Sequence, residues 1–198
     1  MSETEDLPAR LRRETAELHH GVEAATGLPG SVRDSSDYRL LLQHLHRFHV
    51  SVEALLSDPR WAEHWATLDV DLGQHRRSHL IERDLTALGH SWSTEVIPLD
   101  DIDGFPRALG CLYVVEGSSL GGRMIGPAIR AVIGEVPTDF FESAGRGHPS
   151  PWRSLRAAVH RFGETGGSDA SDAVVEGARV TFRHFGQLVA SPRAVPTR

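Results

Sequence analysis

Apolar residues recur along this chain at helical spacing and almost nowhere with the alternation of a strand. Over residues 7–25, Leu7, Leu11, Leu18 and Val22 fall four and seven apart. Gly27 and the Leu28-Pro29-Gly30 stop follow, so the spacing predicts one amphipathic helix. The next pattern begins after Ser35-Ser36-Asp37, which are N-cap residue types. It sets Tyr38, Leu41, Leu42, Leu45, Phe48, Val52, Leu55 and Leu56 on one broad face and ends before Pro59. A third helix is predicted over residues 72–88, carried by Leu80, Ile81, Leu85 and Leu88, with Gly89 where a helix C-terminus favours glycine.

After a turn at 98–104, Phe105, Leu109, Leu112 and Val115 return to helical spacing and lead into Glu116-Gly117-Ser118-Ser119-Leu120-Gly121-Gly122-Arg123. Locally this reads either as one helix or as a strand, a phosphate loop and a helix. The second reading lacks both G-x-G-x-x-G and G-x-x-x-x-G-K-[ST], and no other alternating segment exists to share a sheet. Residues 138–151 are rich in Gly and Pro and read as a loop. Trp152, Leu155, Val159 and Phe162 restart a helix, residues 163–172 read as a linker, and Val174, Ala178, Phe182, Phe185 and Leu188 form a last helix before a tail, 191–198, expected to be frayed or disordered. The expected fold is all-α: roughly six to eight helices in one irregular bundle, a single domain over residues 1–198 with its ordered core at about 7–190.

Composition narrows the function. With 39% hydrophobic and 24% charged residues in 198, the chain is an ordinary globular one. No apolar run approaches the ~18 residues of a membrane span, and the first residues lack the apolar stretch of a secretory signal, so a cytoplasmic protein is expected. A net charge of −6 argues against a nucleic-acid partner. The single Cys111 excludes an internal disulfide or a thiolate cluster, so redox chemistry would need a cofactor. None of the 12 histidines stands in an H-E-x-x-H arrangement.

Two clusters carry candidate chemistry. Arg12, Thr15, His19 and Glu23 are spaced so that they stack along one stripe of the first helix. One reading is a solvated face with an ordinary contact between His19 and Glu23 one turn apart. The other is a neutral imidazole that ligates iron while Glu23 fixes its tautomer, with the Arg12 guanidinium about 10 Å along the axis to pair with an anion. His20, a competing ligand, points roughly 100° away. The second cluster is the glycine stretch 117–122, where each glycine costs ~1 kcal/mol of helix stability against alanine. Gly117 and Gly121, and again Gly122 and Gly126, are four apart, which suits tight helix packing; a flat ligand lying against bare backbone suits the same residues. Tyr113 either faces such a pocket or packs. His44, His46 and His49 read as half-buried or surface side chains rather than as a metal site.

The run L-R-R-E-T-A-E-L-H-H-G-V-E at 11–23 resembles the proximal-helix signature of heme oxygenases, and L-Y-V-V-E-G-S-S-L-G-G at 112–122 resembles the bacterial form of their distal-helix signature. Residues 38–53, 76–89 and 178–182 resemble the family's intervening and closing helices, so the likeness spans about 7–190. It implies His19 as proximal heme ligand, Glu23 as the partner of that imidazole, Arg12 as a propionate contact, and Gly117, Gly121 and Gly122 as backbone contacts on the distal side. Arg153 and Arg156 fall near further basic contacts. Ser118 departs from the aspartate that animal-type members use to order a proton-delivering water, yet its hydroxyl both donates and accepts. The resemblance implies that heme is cofactor and substrate, cleaved with O₂ to biliverdin, carbon monoxide and ferrous iron. Without a flavin or nicotinamide motif, electrons would come from a separate ferredoxin or reductase. A monomer is expected. The rival readings are a non-catalytic heme carrier or sensor on the same scaffold, which Ser118 keeps open, and a related bundle without heme.

Overall fold

A computed structural model describes residues 6–143 and 151–189, and every regular element among them is helical. The strand and phosphate-loop alternative at 112–133 is therefore removed; the tail at 191–198 lies outside the described residues. No helix among them is long and apolar enough to cross a membrane.

The predicted first helix is two, α1 (Leu7–Glu14) and α2 (Ala16–Thr26), broken at Thr15. The buried Thr15 hydroxyl donates to the Leu11 carbonyl at 2.8 Å, a side-chain bond to the preceding turn that bends helices. Gly27, left-handed at φ 61°, ends α2 as expected. Helix α3 (Ser35–Leu56) buries the face the pattern assigned; Asp34, one residue earlier than expected, accepts from the Ser36 and Asp37 N–H groups as its N-cap.

The pattern missed the 3₁₀ turn Pro59–Trp61 and α4 (Ala62–Thr67), which are too short to show a period but seat the buried Trp61 and Trp65 in the core. The third predicted helix begins late, as α5 (Ser78–Ala87), because Asp71 caps a 3₁₀ turn at Leu72–His75. α6 (Phe105–Ile133) runs unbroken through the glycine stretch, and a short α7 (Asp139–Glu142) occupies part of the expected loop. α8 (Pro151–Val189) extends through the expected linker with one non-helical residue, Gly167 at φ 74° and ψ 178°, a conformation essentially confined to glycine.

The α6–α8 crossing forms the centre. A Cβ at Gly110 would overlap the Val174 carbonyl, and one at Gly177 would overlap the Arg107 carbonyl, so backbone touches backbone there. Leu109, Leu112, Leu155, Val159, Val174 and Ala178 close around this contact.

Candidate functional site

α2 rests mainly on α8 and has no buried residue. Its apolar Leu18 and Val22 are half-buried and Ala25 is exposed, an unusual outcome for an amphipathic helix. His19 is 53% exposed; its Nδ1 lies 3.5 Å from a carboxylate oxygen of Glu23, and its ring stands edge-on to Phe182. With Nδ1 turned to Glu23, Nε2 is the nitrogen available to a metal. Of the expected stripe, the His19–Glu23 contact is present, while the helix breaks at the buried Thr15 between Arg12 and His19. His20 is exposed too, its ring edge-on to that of His19.

At the other end of the stripe three elements converge. The buried Tyr113 of α6 donates its hydroxyl to the Pro8 carbonyl of α1 at 3.3 Å and packs its ring 4.9 Å from Trp152 of α8. Burial raises the pKa of the Tyr113 hydroxyl, and the guanidiniums of Arg156 and Arg12 oppose that rise, which places both cations near the phenol. Arg10, by comparison, is paired to Glu14 and Asp172, and Arg179 to Glu14. Arg12, Arg153 and Arg156 are exposed and make no ion pair among the described residues. Cations left without a carboxylate in an acidic protein suit an anionic ligand.

The glycines divide by face. A Cβ at Gly122 would lie 2.7 Å from the Phe141 carbonyl oxygen, and one at Gly126 3.2 Å from the Phe141 Cβ, so these two serve tight packing. A Cβ at Gly117 would sit 3.3 Å from the Trp152 ring. One at Gly121 would meet none of the described residues within 4 Å. Beside it Leu120 and Met124 are exposed, Met124 by 80%. Both explanations of the glycines therefore apply, at different residues. Ser118 is exposed, and its Oγ donates to the Val115 carbonyl at 2.7 Å, leaving its lone pairs to accept.

Pattern reading missed a buried polar network at Gly117. The Glu116 carboxylate, 6% exposed, lies 2.9 Å from His75 Nδ1. Glu53 accepts from the N–H groups of Arg77 and Ser78 and from the Ser78 hydroxyl. The buried Arg77 donates to the Phe140 carbonyl and the Ser143 hydroxyl; burial lowers its pKa while Glu116 and Glu53 raise it. His49 is driven down to about 3 by burial first and then by Arg77 and His46, so it stays neutral; its Nδ1 has no partner, nor has Arg77 Nε. The available signal was Glu116 itself, a charge at the end of the apolar run 112–115, where only a buried partner makes it tolerable. His46 pairs with Glu82, and no group of three metal-ligating side chains exists among the described residues.

Comparison with known proteins follows the same lines. No family model matches the chain. A heme oxygenase of Xanthomonas campestris pv. campestris is 30% identical over 162 residues, which cover 80% of this chain and 92% of that protein. In fold the chain is similar to a crystallised NO- and CO-bound heme oxygenase from Neisseria meningitidis, with a TM-score of 0.73 over 94% of this chain and 91% of that one, at 20% identity.

Proposed function

The chain belongs to the heme oxygenase family, whose reaction opens heme to biliverdin, carbon monoxide and ferrous iron with O₂ and external electrons, and we propose that it holds its substrate between His19 and the Gly117–Gly121 side of α6. The observation that carries this reading is the uncovered state of α2: an amphipathic helix with an imidazole–carboxylate pair and no buried residue lacks a partner for one of its faces. A flat, largely apolar macrocycle with carboxylates on one edge supplies that partner. Gly121 offers bare backbone, and Arg12 and Arg156, with no ion pair among the described residues, offer cations about Tyr113, with Arg153 one turn before Arg156 on α8.

Heme, when bound, supplies the iron at which O₂ is reduced, so the hard redox chemistry belongs to it. The chain supplies position and polarity. The Glu23 carboxylate, 3.5 Å from His19 Nδ1, favours a proton on that nitrogen and so keeps Nε2 available. Arg12 and Arg156 fix the rotation of the plane through its carboxylates. Gly121 lets the plane approach the helix backbone, and Gly117, whose missing Cβ would lie 3.3 Å from the Trp152 ring, stands one turn before it. Gly122 serves the same helix from behind, through Phe141. The Ser118 hydroxyl, its proton committed to Val115, accepts from a water at this edge. Electrons come from a separate ferredoxin or reductase, and one domain, as a monomer in the cytoplasm, suffices for the reaction.

Hemin mixed with the purified protein and given a reductant in air tests this. Loss of the Soret band with growth of biliverdin absorption is expected. A stable reduced spectrum would favour the carrier reading, to which the engaged Ser118 proton lends its only support. No Soret shift on mixing would remove heme from the picture, and a His19→Ala protein with an unchanged ligand-field spectrum would exclude His19 as the ligand.

A further inference from the structure

α7 has four residues, and Thr138 at its start does not cap its first N–H groups, its hydroxyl donating instead to the Glu142 carboxylate at 2.9 Å. Its first N–H groups are taken instead from another helix. Asp84 of α5, fully buried, accepts from the Asp139 N–H at 2.9 Å through one carboxylate oxygen and from the Phe140 N–H at 3.0 Å through the other. The next residue, Phe141, is the one whose backbone meets Gly122 and whose Cβ meets Gly126. These glycines lie on the packed face of α6, while Gly121, immediately before, faces open space. A carboxylate on α5 is thereby connected through three consecutive residues to the back of the glycine stretch. We propose that Asp84 is a positioning residue for the substrate-facing backbone of α6, acting through α7 by holding Phe141 against Gly122 and Gly126.

The physical case rests on cost and geometry. A buried carboxylate is tolerated only when its oxygens are bonded, and here both are bonded to the backbone of one short segment. Burial raises the Asp84 pKa and the two backbone bonds oppose the rise. Further contacts fix the same segment: the Tyr38 hydroxyl donates to the Pro137 carbonyl at 2.6 Å, Arg77 donates to the Phe140 carbonyl and the Ser143 hydroxyl, Arg83 pairs with Asp139 at 3.0 Å, and Arg130 of α6 donates to the Thr138 hydroxyl and pairs with Glu142. None of these supplies acceptors for the N–H groups of Asp139 and Phe140, so Asp84 is what fixes the first turn of α7, the end that leads into Phe141, while Arg130 holds its far end at Glu142. Because helix backbones meet without side chains between them at Gly122, a small rotation of α7 moves α6 directly.

The importance for catalysis rests on the functional reading above, but the contact does not, and the test separates them. Deuterium uptake by the full-length, ligand-free chain is compared with its Asp84→Asn and Asp84→Ala variants. The expected result is exchange at least ~10-fold faster at 138–143 and at 117–126, with 105–115 and α3 little changed. A rise confined to 138–143, or one spread evenly over all helices, overturns the proposal. Should neither Asp84 variant fold, Gly122→Ala presses on Phe141 from the opposite side and is expected to loosen 138–143; unchanged exchange there overturns it equally. In the hemin complex, Asp84→Asn is expected to shift the pH midpoint of the ferric spectrum by at least ~0.5 unit while the His19-dependent Soret band persists. An unmoved midpoint argues against positioning; an absent Soret band in the parent protein argues against the heme reading instead.

Discussion

α2 and α6 supply the two faces of the proposed site, and the protein secures them in opposite ways. α6 is locked by its own backbone: Gly110 against Val174 at one end, Gly122 and Gly126 against Phe141 at the other. α2 lies on α8 with every residue half-buried or exposed, and its ends are a threonine-bent joint and a left-handed glycine. One face is packed on both sides and the other on one. The difference teaches where a ligand at the proposed site would gain most: from covering α2, because α6 is already held.

Four experiments break or sharpen that contrast, the largest effect first. Gly110→Ala places a methyl group into the Val174 carbonyl and is expected to cost about 3 kcal/mol in chemical unfolding, with or without hemin. His19→Ala inverts the pattern: turnover falls at least ~100-fold. The ligand-free stability of that variant stays within ~0.5 kcal/mol of the parent, because a half-exposed side chain on an uncovered helix contributes little. Equal stability losses from the two variants would erase the contrast.

The third concerns pH. His49, against α7, has its folded pKa depressed to about 3, below the unfolded value near 6.5. Between those values the unfolded chain takes up a proton that the folded chain refuses, so stability is complete above pH 6.5 and falls on acidification. From pH 7 to 5 the loss is about 2 kcal/mol, read from urea midpoints, and His49→Phe is expected to flatten it. The smallest is Gly121→Ala, which gains about 1 kcal/mol of ligand-free stability as a helix substitution in open space while weakening hemin binding. Gly122→Ala, one residue on, destabilises. Identical signs for these neighbours would mean that they share an environment.

Much of this was legible in sequence where period or chemistry was strong. The α3 face needed only its spacing, and the His19 stripe only the helical repeat. The glycine stretch was legible as unusual but not as two-sided, since nothing local says that Phe141 covers Gly122 and nothing covers Gly121. The break at Thr15 depends on where one hydroxyl turns, and the helical continuation around Gly167 was hidden by glycines that normally signal a linker. Asp84 was invisible: its partners are 55 and 56 residues away, on a segment whose composition reads as loop. Pairings that far apart are decided by packing, which periodicity does not encode.

The bareness of α2 has a consequence in the cell. A helix without a buried side chain opens at little free-energy cost, and a protease samples such openings in proportion to their population. Ligand that binds only the closed form suppresses them by mass action. Substrate supply would then set the lifetime of the enzyme, with surplus chains removed when heme is scarce. Limited proteolysis with and without hemin reads this directly, through protection of the peptide bonds at 16–26.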